Sequence, residues 1–302
     1  MHILITGGTG LIGRALCRHF AAQGHELFVW SRRPTQVAEL CGTGVHGLAR
    51  LADYPQSLPL DAVINLAGAP IADRPWTAAR RKVLWDSRVG LTEQLIDWLA
   101  EREHKPEVLL SGSAVGWYGN GGDVPLDEQA GIQSEDFAQE LCAAWELAAS
   151  RVRTLGIRLV LLRTGLVLAA DGGFLQRLLL PFKCGLGGPL GSGQQYMPWI
   201  HLADQVALID TLINTPEACG PYNACAPEPV TNRQFATALA AVLRRPAVLP
   251  VPGFALKALL GELSVLLLGG QRAVPAKAQA LGYRFQYTDC KAALTQLLHR
   301  AE

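Results

Sequence analysis

Charge is scarce in this chain of 302 residues, with Asp, Glu, Lys and Arg making up 18% of it. The 27 Lys and Arg nearly cancel the 26 Asp and Glu, leaving a net charge of +1. Without an excess of either sign there is no electrostatic basis for gripping nucleic acid or an anionic membrane surface. By elimination the partner is a small molecule. Cysteine occurs seven times, an odd count, and no spacing gives C-x-x-C or a zinc-ligand pattern. That argues against a disulfide framework or a metal site and reads as reduced thiols in a cytoplasmic protein. Long uncharged apolar runs are also missing. The most membrane-like stretch, Phe254 to Gly270, contains Lys257 and Glu262 and is short for a bilayer span, so it reads as a buried helix. No signal peptide is read either, because His2-Ile3-Leu4-Ile5 already looks like a strand entering a glycine-rich turn. Gly112-Ser113 lacks the G-x-S-x-G frame of a hydrolase elbow, and no pair of carboxylates suggests two-acid chemistry.

What the chain does have is apolar residues, 49% of the total, which excludes disorder. At roughly 150 residues per domain the length allows two domains. The first two-thirds alternates short apolar runs with amphipathic stretches, the pattern of a parallel sheet covered on both faces. Strands are expected at His2–Thr6, Glu26–Trp30, Ala62–Leu66, Glu107–Ser111 and Arg158–Leu162. Helices are expected at Gly10–Gln23, Thr77–Arg102, Ser134–Leu155 and Val230–Leu243, the last opened by Thr231 or Asn232. The fold class is therefore α/β, a doubly wound (Rossmann) parallel sheet with a smaller C-terminal substrate domain. Residues 1–167 form the nucleotide-binding domain, to which 195–225 returns. Residues 168–302 form the smaller domain, including a helical C-terminal module over 249–298. Between 185 and 193 lie five glycines and one proline, a loop that serves as a flexible lid or anion cradle, or packs compactly between domains.

The turn Thr6-Gly7-Gly8-Thr9-Gly10-Leu11-Ile12-Gly13 follows a strand and opens a helix. Glycines at 7, 10 and 13 permit a tight turn, close approach of a pyrophosphate, and contact of helix with strand. The free N–H groups at the helix start then face the anion. Gly7, Thr9, Gly10, Leu11, Ile12 and Gly13 are accordingly cofactor-binding candidates. The second strand ends Val29-Trp30-Ser31-Arg32-Arg33, where a site for NAD usually places an acid. A hydroxyl followed by a guanidinium suits a 2′-phosphate instead, so Ser31 and Arg32 point to NADP(H). Arg33, before Pro34, reads equally well as an ordinary solvated residue.

Three segments, Thr6–Gly13, Asn65-Leu66-Ala67-Gly68 and Ser111-Gly112-Ser113-Ala114, resemble those of the extended short-chain dehydrogenase/reductases, in their NAD(P)-dependent epimerase/dehydratase branch. Leu161 through Leu168 resembles the family segment that passes under the nicotinamide. Gln194 through Tyr196, with Trp199 through Asp204, resembles its substrate-domain hinge. Loop 185–193 and the tail from about Leu249 are similar to a narrower, atypical group with a C-terminal domain of unknown function. The resemblance adds Leu66, Ala67, Gly68 and Val167 to the cofactor set. It implies NADP(H) as cofactor and an oxidoreductase or epimerase-like enzyme on a small polar substrate.

The departures from that family bear on the chemistry. Its enzymes carry Tyr-x-x-x-Lys on the helix after the Ser strand, so that a phenol meets the substrate oxygen while the amine grips the ribose and lowers the phenol pKa. Aligning the family's later Glu with Glu146 places Ala138 at the Tyr position and Cys142 at the Lys position. Phe137, Leu141, Trp145, Ala148 and Val152 form the core stripe of this helix, leaving Ala138, Cys142 and Glu146 on the neighbouring edge. Arg88 stands where the family has an active-site Asn and could hold a cofactor phosphate or ribose, or an acidic substrate group.

Ser113 survives from the catalytic set and could hold a substrate carbonyl oxygen, or simply bond backbone. Cys142 is a general-acid candidate if its thiol is tuned, and otherwise a small buried hydrophobe. Tyr118 could supply the missing phenol or serve as a structural turn. His201 reads as a hinge-fixing residue or a site residue. The missing dyad leaves open a non-catalytic NADPH-binding sensor or regulatory protein as the alternative. Substrate, reaction direction and oligomeric state carry no signal in the sequence.

Overall fold

The computed structural model describes residues 1–299. Seven strands form the central sheet: β1 (His2–Thr6), β2 (Glu26–Trp30), β3 (Val45–Leu48), β4 (Ala62–Asn65), β5 (Val108–Ala114), β6 (Arg158–Thr164) and β7 (Gly220–Ala224). All pair in parallel, in the order β3-β2-β1-β4-β5-β6-β7. This is the doubly wound arrangement expected from the alternation of apolar runs. The strand order reverses between β1 and β4, and the crevice outside the strand ends at such a switch point is where ligands bind in these sheets.

Both faces of the sheet are covered, which is why its strands read as continuous apolar runs. Ile3, Ile5, Val29, Ile64, Leu110 and Leu162 pack on one side against Leu16 and Phe20 of α1 (Leu11–Ala22). Leu4, Phe28, Val63, Leu109 and Leu161 face the other side. There they meet helices following β4 and β5. The stretch Thr77–Arg102, expected as one helix, is α2 (Ala78–Trp85), a π-helical segment over Asp86–Gly90, and α3 (Leu91–Glu101). Thr77 caps it by accepting from the Arg80 N–H, and Arg88 lies in the π segment, a wide turn often found at functional positions. The next helix, α4 (Phe137–Ser150), is capped by Asp136 and continues as a 3₁₀ turn to Leu155.

Two edge strands lie outside the expected set. β3 carries His46 and Gly47 on exposed positions, and β7 opens Gly220-Pro221, which an edge tolerates because one side needs no partner. Strand β5 runs to Ala114 and β6 to Thr164, each past the expected end. The polar residues Ser113 and Arg163 at those ends are buried.

A separate core gathers Leu168, Leu175, Phe182, Trp199, Phe235, Leu239 and Leu294. It draws on α5 (Gly173–Lys183), α7 (Asn232–Leu243) and α8 (Cys290–His299), while α6 (Leu202–Asn214) returns to the sheet. Phe254 to Gly270 is not a buried helix. It breaks into Gly253–Leu260, a 3₁₀ turn over Gly261–Ser264, and Val265–Leu268, and both Phe254 and Leu259 are 78% exposed. Gly261, at φ 56, ends the first piece. No helix among the described residues is long and apolar enough to cross a membrane.

Loop 185–193 is packed down rather than poised as a lid. A side chain at Gly188 would overlap the Leu249 carbonyl, and one at Gly191 would come within 2.8 Å of Leu268. Leu190 also bridges to Val251. Two buried carboxylates fasten the C-terminal module. Glu128 accepts from the N–H groups of Asn223 and Lys277, and Asp204 accepts from those of Gln286 and Tyr287.

Candidate functional site

The β1–α1 turn is shaped by close contacts. Gly7 has φ +72, and a Cβ there would lie 2.7 Å from the Leu66 carbonyl carbon. A Cβ at Gly13 would overlap the Gly7 carbonyl oxygen, so α1 can sit this close to the turn only with glycine. The first bond of α1 runs from the Arg14 N–H to the Gly10 oxygen, 2.9 Å, leaving the preceding N–H groups at Leu11 and Ile12 facing the crevice. Such a cradle fits a diphosphate.

A polar network beneath the turn fixes its neighbour. Thr6 Oγ1 donates to Asn65 Oδ1 at 2.7 Å and accepts from the Ala67 N–H at 3.0 Å. Asn65 Nδ2 donates to Thr92 Oγ1 at 2.8 Å and Ser111 Oγ at 3.2 Å, and the Trp145 indole also donates to Thr92. Thr6, Asn65, Thr92 and Ser111 are all fully buried, so each hydrogen bond avoids the cost of an unpaired polar group. Thr6, Asn65 and Ser111 stand in the segments that carry the resemblance, but none of the four was given a role from the sequence. The available signal was a polar residue ending an otherwise apolar strand.

Above the turn lies a cavity of about 280 Å³ lined by Gly7, Gly10, Leu11, Ile12, Gly13, Leu66 and Val167, together with Gly165, Leu166, Gly173 and Phe174. It thus brings together seven of the sequence's cofactor candidates. Thr9, Ala67 and Gly68 adjoin it along the chain. Phe174, from α5 of the smaller core, was not anticipated. Ser31 and Arg32 sit at the end of β2, outside this cavity and accessible. Ser31 Oγ accepts from the Arg33 N–H at 3.1 Å, which leaves its own proton to give to a ligand.

Arg88 packs against Gly68 and Ala69, which follow the cavity-lining Leu66 in the chain. Its guanidinium donates to the Ala69 oxygen at 3.0 Å, lies 5.5 Å from the Trp145 ring, and would be 2.9 Å from a Cβ at Gly68. Burial draws its pKa down, and Arg80 adds to that. Among the described residues it has no carboxylate partner. A half-buried cation held only by carbonyls is suited to an anionic or hydroxyl-bearing ligand.

Ser113, at the end of β5, is bonded to a carboxylate. Its Oγ donates to Glu146 Oε1 at 2.8 Å, and Arg163 grips both oxygens of Glu146, through Nε at 2.8 Å and Nη2 at 2.9 Å. A carboxylate accepting on both oxygens has no proton to give, so the serine proton is the one shared. The hydroxyl expected to meet a substrate carbonyl is thus bonded to Glu146 in this structure. Arg163, missed in the sequence, is 3% exposed and stacks on Trp117 at 3.5 Å. Burial works against its charge, but the bond and charge of Glu146 outweigh burial and hold its pKa above the ordinary value.

Cys142 and Ala138 are buried beside Gly116, where a Cβ would lie 3.8 Å from the Cys142 sulfur. Burial pushes the Cys142 thiol up to about 12, with Arg88 opposing and Glu146 assisting. It stays protonated at neutral pH and packs as a small apolar group. Tyr118 is structural: its hydroxyl lies 2.8 Å from both the Asp127 oxygen and Asn223 Oδ1, in the core. His201 caps α6 by accepting from the Ala203 N–H and bonds Gln296 at 2.9 Å, a hinge-fixing role. No cluster able to hold a metal ion occurs among the described residues.

A parallel sheet with a glycine cradle at its switch point defines a dinucleotide-binding fold. The chain belongs to the NAD dependent epimerase/dehydratase family, whose profile matches residues 3–225; a second profile, a domain of unknown function (DUF1731), matches 251–297. The chain is 37% identical over 299 residues to the epimerase family protein YfhF of Bacillus subtilis, covering 99% of this chain and 98% of that one. The chloroplastic homologue of epimerase family protein SDR39U1 from Arabidopsis thaliana is also 37% identical, with 99% and 87% covered. Among solved structures, human SDR39U1 with NADPH superposes with a TM-score of 0.90 at 34% identity, covering 99% of each chain.

Proposed function

We propose that the protein binds NADP(H) across the strand ends and uses it as an oxidoreductase or epimerase-like enzyme on a small polar molecule, with an active site that lacks Tyr-x-x-x-Lys. The observation that carries this reading is the 280 Å³ cavity, which joins the glycine cradle to Val167 and is closed by Phe174 from the smaller domain. Residues 1–167 with 195–225 hold the cofactor in this reading, and 168–302 supply the substrate side. The NADPH bound by human SDR39U1 supports the choice of cofactor, as do Ser31 and Arg32 here.

When bound, the cofactor supplies a hydride donor or acceptor. The N–H groups of Leu11 and Ile12 would hold its diphosphate, Ser31 and Arg32 would take the 2′-phosphate, and Arg88 would hold a phosphate or ribose oxygen near Ala67 and Gly68. Val167, which lines the cavity, would lie against the nicotinamide. Ser113 Oγ is bonded to Glu146 and the Cys142 thiol is buried, so this reading assigns the proton donor to neither. A cytoplasmic, reducing setting belongs to the same reading and is supported by seven free thiols.

The bond from Ser113 to Glu146 favours a second reading, a non-catalytic NADPH-binding sensor whose shape follows cofactor occupancy. Mixing the protein and NADPH with a panel of carbonyl compounds and sugar nucleotides separates the two. Oxidation above background that is lost in Gly13→Ala supports the enzyme. Tight NADPH binding with no turnover on any compound overturns it in favour of the sensor.

A further inference from the structure

A second and larger cavity, about 670 Å³, lies along the outer side of α1, between that helix, α6 and the end of α8. Its size falls within the range of small-molecule sites, roughly 300–1,000 Å³. Arg14 and Arg18 reach it from α1, four residues apart and therefore on one helix face. Like charges at that spacing oppose the helix rather than support it. Among the described residues, neither arginine has an ion-pair or hydrogen-bond partner for its side chain. The other titratable groups at the cavity are accounted for differently. His19 is held by Asp210 at 2.7 Å, His201 is bonded to Gln296, and Asp171 is exposed at the rim. The remaining wall is apolar, from Ala15, Val206, Ala207 and Leu297. Two unneutralised guanidiniums beside an apolar wall define a ligand with one anionic end and one apolar body.

We infer that this cavity is a second ligand site, which takes a small organic anion: its phosphate or carboxylate lies on Arg14 and Arg18, and its body lies against Ala15, Val206 and Leu297. The site is distinct from the cofactor cleft. Only Leu11 lines both cavities, and none of the glycines of the cradle reaches the second one. It therefore stands whether or not the reading of the cleft holds.

The test is calorimetric titration of the full chain with phenyl phosphate and, separately, with benzoate, each with and without saturating NADPH. Saturable binding of either probe that persists with NADPH and weakens at least about tenfold in Arg14→Ala/Arg18→Ala supports the site, as expected for loss of charge-assisted bonds. Phenyl phosphate alone identifies a phosphate ligand, and benzoate alone a carboxylate. A second variant, Ala207→Trp, fills the cavity from α6 while keeping both arginines, and it should block binding as well. Absence of saturable binding by both probes overturns the inference. So does displacement of the probe by NADPH, or affinity unchanged in the folded double variant.

Discussion

Ser113 Oγ donates a hydrogen bond to Glu146 across 2.8 Å, and Arg163 holds that same carboxylate by two bonds. The serine expected to face substrate is therefore one end of a buried charge array anchored beneath the site. Ala138 and Cys142, which the resemblance places at the positions of the family's Tyr and Lys, are both buried.

Glu146→Ala should destabilise the fold far more than Ser113→Ala. Removing one partner of a buried ion pair costs about 3–5 kcal/mol, because Arg163 is left uncompensated. Losing the serine hydroxyl costs about 1 kcal/mol, since Glu146 keeps its arginine. Urea unfolding of the two variants measures the difference. Equal losses would contradict the view that Arg163 and Glu146 form the anchor.

Gly13→Ala should abolish NADPH binding and lower the melting temperature, because the added methyl overlaps the Gly7 oxygen and pushes α1 off the cradle. Gly44→Ala, where nothing stands in the way, should do neither. Fluorescence titration and thermal melting of both variants check this.

Iodoacetamide at pH 8 should label Cys184 and Cys219, which are exposed, and spare the five buried cysteines in the native protein. Cys142 also makes stability depend on alkaline pH. Its folded pKa, about 12, lies above the ordinary value of 9.0, so its contribution is whole below pH 9 and fades as pH rises toward 12. Cys142→Ala should flatten that part of the stability curve, read by denaturant unfolding across the range. An unchanged curve would contradict the burial of the thiol.

Asp204→Ala should loosen the segment around Tyr283 to Tyr287. It strips the acceptor from the Gln286 and Tyr287 N–H groups, at 2.7 and 2.9 Å, while the Tyr283 hydroxyl keeps the Asp204 backbone oxygen at 3.0 Å. Hydrogen exchange should rise there first, with a stability loss of about 1–3 kcal/mol for the donors left unpaired.

How legible all this was in the sequence varies with the source of the order. The strands at His2–Thr6 and Glu26–Trp30 were readable to the residue, because apolar runs ending in Gly or Ser-Arg announce both element and boundary. The edge strands at Val45–Leu48 and Gly220–Ala224 were not, since half-exposed edges admit His, Gly and Pro. Cradle residues were legible because glycine spacing is itself the geometry. Arg163 was not, because an arginine inside an apolar strand discloses its role only once Glu146 and Trp117 are brought to it from elsewhere. Phe254 to Gly270 misled for the opposite reason. Its apolar character suggested burial, yet Gly261 breaks it and leaves Phe254 and Leu259 outside.

The central claim, that this cleft is built for NADP(H) through Ser31 and Arg32, is tested most directly by titrating NADPH and NADH into the wild type and Arg32→Ala. The account predicts that the wild type prefers NADPH and that Arg32→Ala weakens NADPH at least about tenfold, from loss of a charge-assisted phosphate contact, while leaving NADH nearly unchanged. Equal losses for both cofactors, or no preference in the wild type, would contradict it.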